Sequence, residues 1–140
     1  MAAPADSLNL PQPERGTGAG LEPGLERSDG FTVQGPLLTD VGGTIGVSVL
    51  STPGMIAMME RTATVLAYEG LPEGSATVGF EVCAKHVAAA GAGAACTVNA
   101  RLERIEDERK LFFAVEVREG ERMIGIGTHQ RRVIAVPAGG

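Results

Sequence analysis

The chain has 140 residues, a net charge of −5, 44% apolar and 4% aromatic residues, and no Trp. That length fits a single domain, with a core resting on Val, Ile, Leu, Met and Ala rather than on rings. The acidic balance without a basic stripe argues against nucleic acid as a partner, and no apolar run reaches the roughly 20 residues of a membrane-spanning helix.

The opening Met-Ala-Ala-Pro-Ala-Asp has no basic residue and no apolar stretch behind it, so no secretory leader is expected. Residues 1–30 hold four Pro, five Gly and five acidic residues but no aromatic. Such a segment buries too little apolar surface to offset its ordering entropy. It is expected to be a disordered tail whose removal leaves stability unchanged. The folded domain is then expected over residues 31–136, followed by a short C-terminal tail at 137–140. Phe31 to Gln34 reads as a short strand, residues 36–46 as a loop loosened by Gly42-Gly43, and Val47 to Leu50 as a β-branched run.

A helix start follows. Thr52 suits an N-cap and Pro53 loses no needed hydrogen bond at the first helical position. The helix is expected to run to about Glu69, with Gly70 and Pro72 ending it. Met55, Ile56, Met59, Ala63, Leu66 and Ala67 recur at helical spacing and mark the buried face. Arg61 points away from that face. Glu60 lies about 80° from its centre, at the edge of the core.

After a Gly-Leu-Pro-Glu-Gly turn the pattern switches to period two. Val78, Phe80, Val82, Ala84 and His86 are expected on the core-facing side, and Thr77, Glu81 and Lys85 on the other. Three further strands are expected, beginning near Cys96, Leu111 and Met123 and joined by short connections. The fold class is therefore α+β: one antiparallel sheet wrapped around one central helix, with a second copy of the chain covering what a single sheet leaves exposed. Cys83 and Cys96 fall in expected strands without metal-ligand spacing. They read as small buried hydrophobes in a reduced, cytoplasmic protein.

Thr52 and Glu60 are eight residues apart on one helix, and His86 stands at the end of a core-facing row. A carboxylate on a half-apolar face costs free energy unless it is paired or used, and a histidine offers it a partner and a proton switch. A hydrolytic site is the reading. The segments Ser51-Thr-Pro-Gly-Met-Ile-Ala-Met-Met-Glu60, Val78-Gly79, Lys85-His86-Val-Ala-Ala and Gly127-Thr-His-Gln-Arg131 resemble the hotdog-fold thioesterases, in particular the fluoroacetyl-CoA thioesterase-like group. The resemblance covers about residues 31–136. It implies a dimeric hotdog fold that hydrolyses an acyl-CoA thioester, with catalytic Thr52, Glu60 and His86, and with Gly79 and Arg131 near the acyl pocket and its gate. It implies no cofactor, since coenzyme A is part of the substrate, and no metal. In that group the lid segment before the threonine carries Phe residues, whereas residues 36–50 here hold no aromatic.

In this reading Glu60 acts as general base or attacks directly through an anhydride, and His86 orients it or steadies charge. Thr52 combines capping with a hydrogen bond to water or Glu60, and His129 makes a structural hydrogen bond. The alternatives are a non-catalytic hotdog that binds acyl-CoA or another small ligand, and a hotdog hydratase or dehydratase.

Overall fold

The computed structural model describes residues 20–137. Seven strands, one short 3₁₀ turn and one long helix follow in chain order: β1 (Glu26–Thr32), the turn Gly35–Leu37, β2 (Leu38–Thr39), β3 (Val49–Leu50), α1 (Thr52–Gly70), β4 (Ser75–His86), β5 (Ala95–Glu106), β6 (Lys110–Glu119) and β7 (Arg122–Ala135). Five strands form one antiparallel sheet in the order β1-β5-β6-β7-β4, and β2 pairs with β3 apart from it. α1 packs on one face of the large sheet. Between them lies an aliphatic core: Met55, Met59 and Ala63 of the helix against Val98, Ala100, Leu102, Phe113, Val115 and Ile124.

Helix and sheet approach closely at Gly125, where a Cβ would overlap the Met55 sulfur. Any larger residue there would have to displace the methionines beneath the helix.

The expected tail is corrected over residues 20–30; residues 1–19 lie outside the described residues. β1 begins at Glu26, not Phe31, and pairs with β5 from Glu26↔Arg101 to Thr32↔Ala95. Leu21 and Leu25 pack on the core, and the Leu21 side chain lies against Gly70 at the end of α1. Composition missed this because the segment is held by specific polar bonds as well as by its few leucines. Arg27 bonds Asp29 and Glu69, and Asp29 accepts the Thr62 hydroxyl at 2.8 Å and pairs with Arg61 at 3.9 Å. β1 therefore covers the side of α1 that periodicity assigned to solvent, which is why Thr62 is buried and Arg61 does not point into water. Deleting residues 1–28 is now expected to lower Tm by about 5 °C or more, since it removes the Arg27 tethers to Asp29 and Glu69, the Leu21 and Leu25 contacts with the core, and the first three residues of β1. Thermal unfolding measures this, and an unchanged Tm would show that the tethers contribute nothing.

The period-two reading of β4 is corrected as well. The register with β7 shifts between Gly79↔Arg131 and Glu81↔Gln130, leaving Phe80 as a bulge. One extra residue reverses which face later side chains take. Val82, Ala84 and His86 face the helix as expected, but before the bulge it is Thr77 and Gly79 that do so. Val78 and Phe80 point outward, 45% and 61% exposed, and the Phe80 ring lies under the Arg132 guanidinium. Cys83, alternating with Val82 and Ala84, is exposed rather than buried; Cys96 is buried, and both are free thiols.

Candidate active site

The cap of α1 is Ser51, whose hydroxyl accepts from the Gly54 amide at 2.9 Å. That corrects the capping role expected of Thr52 and has a consequence for the site. The Thr52 hydroxyl, at the first residue of the helix, is released and lies 2.9 Å from His86 Nδ1. Gly54's amide is taken by Ser51, and Pro53 has no amide hydrogen, so the helix start presents fewer free donors to an anion than its dipole alone suggests. His86, the last residue of β4, turns Nε2 inward, where it is sealed from solvent and has no partner among the described residues. Burial holds its pKa below the ordinary histidine value, opposed by a backbone contact with Ala88.

Two turns along α1, half-buried Glu60 faces β4 and β7. Its carboxylate oxygen Oε2 would lie 3.2 Å from a Cβ at Gly79, and Arg131 Nη1 would lie 3.5 Å from the same point. Gly79 thus leaves room for a carboxylate and a guanidinium to converge. Arg131 is only 6% exposed. Its Nε donates to Thr77 Oγ1 at 2.7 Å and its Nη2 to the Thr77 carbonyl at 3.1 Å. Its Nη1 lies 3.1 Å from His129 Nε2. Burial lowers the affinity of this guanidinium for its proton, and the negative charge of Glu60 opposes that effect.

Arginine only donates hydrogen bonds, so His129 Nε2 accepts and His129 is neutral with its proton on Nδ1, which donates to the Glu81 carbonyl at 2.8 Å. Burial, first, and Arg131 lower the His129 pKa, while the bond to Glu81 and the charge of Glu60 raise it.

Both histidines therefore bind protons less readily in the folded chain than in the unfolded one. The stability linked to this is present above pH 6.5, the ordinary value, and is lost as pH falls through the lowered folded values. Tm is expected to fall between pH 7 and about pH 5, above the range where most carboxylates titrate. A Tm that is flat or rises on acidification over that window would contradict it.

The structure brings Thr52 to His86, and Glu60 to Gly79 and Arg131. Within one chain it does not bring the two groups together. Eight residues of helix separate Thr52 from Glu60 by about 12 Å, and roughly 20 Å of strand separates His86 from Gly79. Among the described residues, no carboxylate contributes to the shift of the His86 pKa. Thr77 and His129 belong to this polar cluster, and sequence reasoning missed their place in it. The bulge hid Thr77, and the sequence alone could not show that His129 sits against Arg131. Of the aliphatic residues before α1, Leu37 is buried and lies against Gly54, while Val41, Ile45 and Val47 are exposed. A groove of about 600 Å³ opens on the outer sheet face among Cys83, Lys85, Arg101 and Glu116, on the other side from Glu60 and His86.

A family model described as fluoroacetyl-CoA-specific thioesterase matches residues 37–136. The fluoroacetyl-CoA thioesterase of Streptantibioticus cattleyicolor is 35% identical over 86 residues, 61% of this chain and 61% of that protein, so the chain spans about three fifths of that relative. Among solved structures, a mutant fluoroacetyl-CoA-specific thioesterase in complex with fluoroacetate and CoA superposes with a TM-score of 0.75 at 27% identity, covering 83% of this chain and 97% of that one. A hot-dog-like protein from Thermanaerovibrio acidaminovorans gives 0.74 at 20% identity, over 81% of this chain and 84% of that one, a likeness of fold.

Proposed function

Since the chain belongs to the fluoroacetyl-CoA-specific thioesterase family, we propose that it hydrolyses small acyl-CoA thioesters as a homodimer whose sites combine Thr52 and His86 of one subunit with the carboxylate of the other. The observation that carries this reading is the Glu60 carboxylate at the Gly79 opening. It faces the buried Arg131 cation, yet it lies two helical turns from the Thr52–His86 pair that its chemistry needs.

β4 is an edge of the sheet, twelve residues long, with Val78 and Phe80 exposed beside it. A long open edge pairs readily with another strand. A two-fold axis crossing β4 at Cys83 runs two copies antiparallel and, with Phe80 left out of the pairing as the bulged residue, places His86 opposite Gly79 of the partner subunit on the same face. The pair on one chain then meets Glu60 of the partner subunit, and two equivalent sites form.

In each site the thioester carbonyl lies between the two groups. Glu60 takes a proton from water as the water oxygen attacks the carbonyl carbon. The carbon–sulfur bond then breaks, and the proton passes to the departing thiolate. Alternatively, Glu60 attacks first and water opens the resulting anhydride. Thr52 and His86 supply hydrogen bonds to the carbonyl oxygen or to water, and Arg131 and Gly79 shape the acyl end. Coenzyme A is part of the substrate, and no separate cofactor enters the reaction. No helix among the described residues is long and apolar enough to cross a membrane. With both cysteines as free thiols, we assign the reaction to the cytoplasm.

Thiol release from a panel of acyl-CoAs tests the proposal. Binding without release would identify a non-catalytic ligand-binding hotdog, and addition or loss of water with the thioester intact would identify a hydratase or dehydratase. Within the panel a graded profile is expected. The segment before α1, residues 36–50, offers no aromatic side chain, and apolar pocket differences discriminate by about 1–3 kcal/mol per methylene-sized change. A kcat/KM ratio of about 10⁴ or more for fluoroacetyl-CoA over acetyl-CoA, some 5.5 kcal/mol, would overturn that expectation.

A further inference from the structure

Arg131 would be a poor catalytic neighbour if it were free to move. A long side chain has many rotamers, and a cation displaced by an ångström or so no longer meets the charge it is placed for. Two of its hydrogen bonds go to Thr77 and fix the Nε and Nη2 side of the guanidinium. The nitrogen nearest the Gly79 opening, Nη1, is bonded by His129 Nε2.

His129 is itself held in place. It is 1% exposed, Nδ1 bonds the Glu81 carbonyl, and Phe113 of β6 stacks against its ring at 6.2 Å between centroids. The charges around it are Arg131 on its own strand and Glu60 from α1, while Glu81 of β4 contributes its carbonyl. A histidine used only to fill the core would need neither a fixed tautomer nor a cation at its second nitrogen.

Resting on the thioesterase reading, we infer that His129 is a positioning residue for that reaction: as the Nδ1–H tautomer it accepts a hydrogen bond from Arg131 Nη1 and so holds the guanidinium toward Glu60 and the acyl end of the substrate. A second proton on Nε2 removes the acceptor and sets two cations against each other.

Two replacements separate this role from a structural one. Asn carries its amide where Nδ1 stands, so His129→Asn keeps a donor for the Glu81 carbonyl and loses the acceptor for Arg131. Gln carries its amide where Nε2 stands, so His129→Gln keeps that acceptor. With acetyl-CoA as substrate, His129→Asn is expected to lose between about tenfold and 100-fold in kcat with KM nearly unchanged. His129→Gln is expected to stay within about threefold of wild type at a comparable Tm. If His129→Asn turns over at the wild-type rate, or if both variants lose activity only in step with Tm, the inference is overturned.

A second readout is independent of turnover and of how the variants fold. Nitrogen-15 NMR of the wild-type imidazoles at pH 7 is expected to show a protonated Nδ1 and a bare Nε2 at His129. The other tautomer, or an imidazolium, would overturn the inference. If wild-type protein releases no thiol from any acyl-CoA, the thioesterase reading fails, and with it any catalytic role for His129. The nitrogen shifts then decide only whether the tether to Arg131 exists.

Discussion

Glu60→Gln is expected to reduce kcat for acyl-CoA hydrolysis by about 100-fold or more while changing Tm little. The two side chains are nearly isosteric. The Glu60 carboxylate makes no hydrogen bond to a described residue, so no bond is lost on replacement; the short bond at this residue, from the Thr64 hydroxyl, goes to the backbone carbonyl. What the amide loses is chemical. It cannot take a proton from water, it cannot attack a thioester, and it carries no charge opposite Arg131. That last loss leaves a buried guanidinium less compensated and is the one route by which stability could fall. Activity and Tm are measured on the same preparation. A variant retaining more than about a tenth of wild-type kcat, a barrier change below about 1.4 kcal/mol, would remove Glu60 from the assigned role.

Mixing two inactive variants is expected to restore activity. Glu60→Gln and His86→Ala are each expected to be nearly inactive alone. If each site draws its histidine from one subunit and its carboxylate from the other, a mixed dimer has one intact site and one doubly damaged site. Co-refolding in equal amounts makes about half of the dimers mixed, so about a quarter of wild-type activity should return. The same experiment fails if all three residues act within one chain, since no subunit in the mixture would carry an intact set. A monomer by light scattering at micromolar concentration would rule the arrangement out before any mixing. Restoration depends on geometry already visible in one chain: the carboxylate and the Thr52–His86 pair face the same side of β4 but stand far apart along it.

Local chemistry in the chain was enough to define much of the molecule. Pro53, the Met and Ala spacing and Gly70 delimit α1 to within a residue, because capping, proline geometry and a 3.6-residue period act over one or two turns and are written in neighbouring positions. Alternation marked β5, and short charged connections implied antiparallel neighbours. The motif segments also sufficed to name Thr52, Glu60, His86, Gly79 and Arg131 as the residues of interest, and the family match over residues 37–136 agrees with the resemblance that suggested them.

What only the tertiary structure decided involves partners distant in the chain. A Pro- and Gly-rich segment became β1 because Asp29 and Arg27 meet Thr62, Arg61 and Glu69 some thirty to forty residues away, and composition does not register such bonds. The bulge at Phe80 arises from register with β7, so no pattern within β4 could reveal that Thr77 and Gly79 face inward. Ser51 took the cap and released Thr52 for His86, a choice between adjacent hydroxyls that depends on where β4 ends. The state of His129 follows from Arg131 having only donors to offer, a constraint that exists only once the two side chains lie side by side.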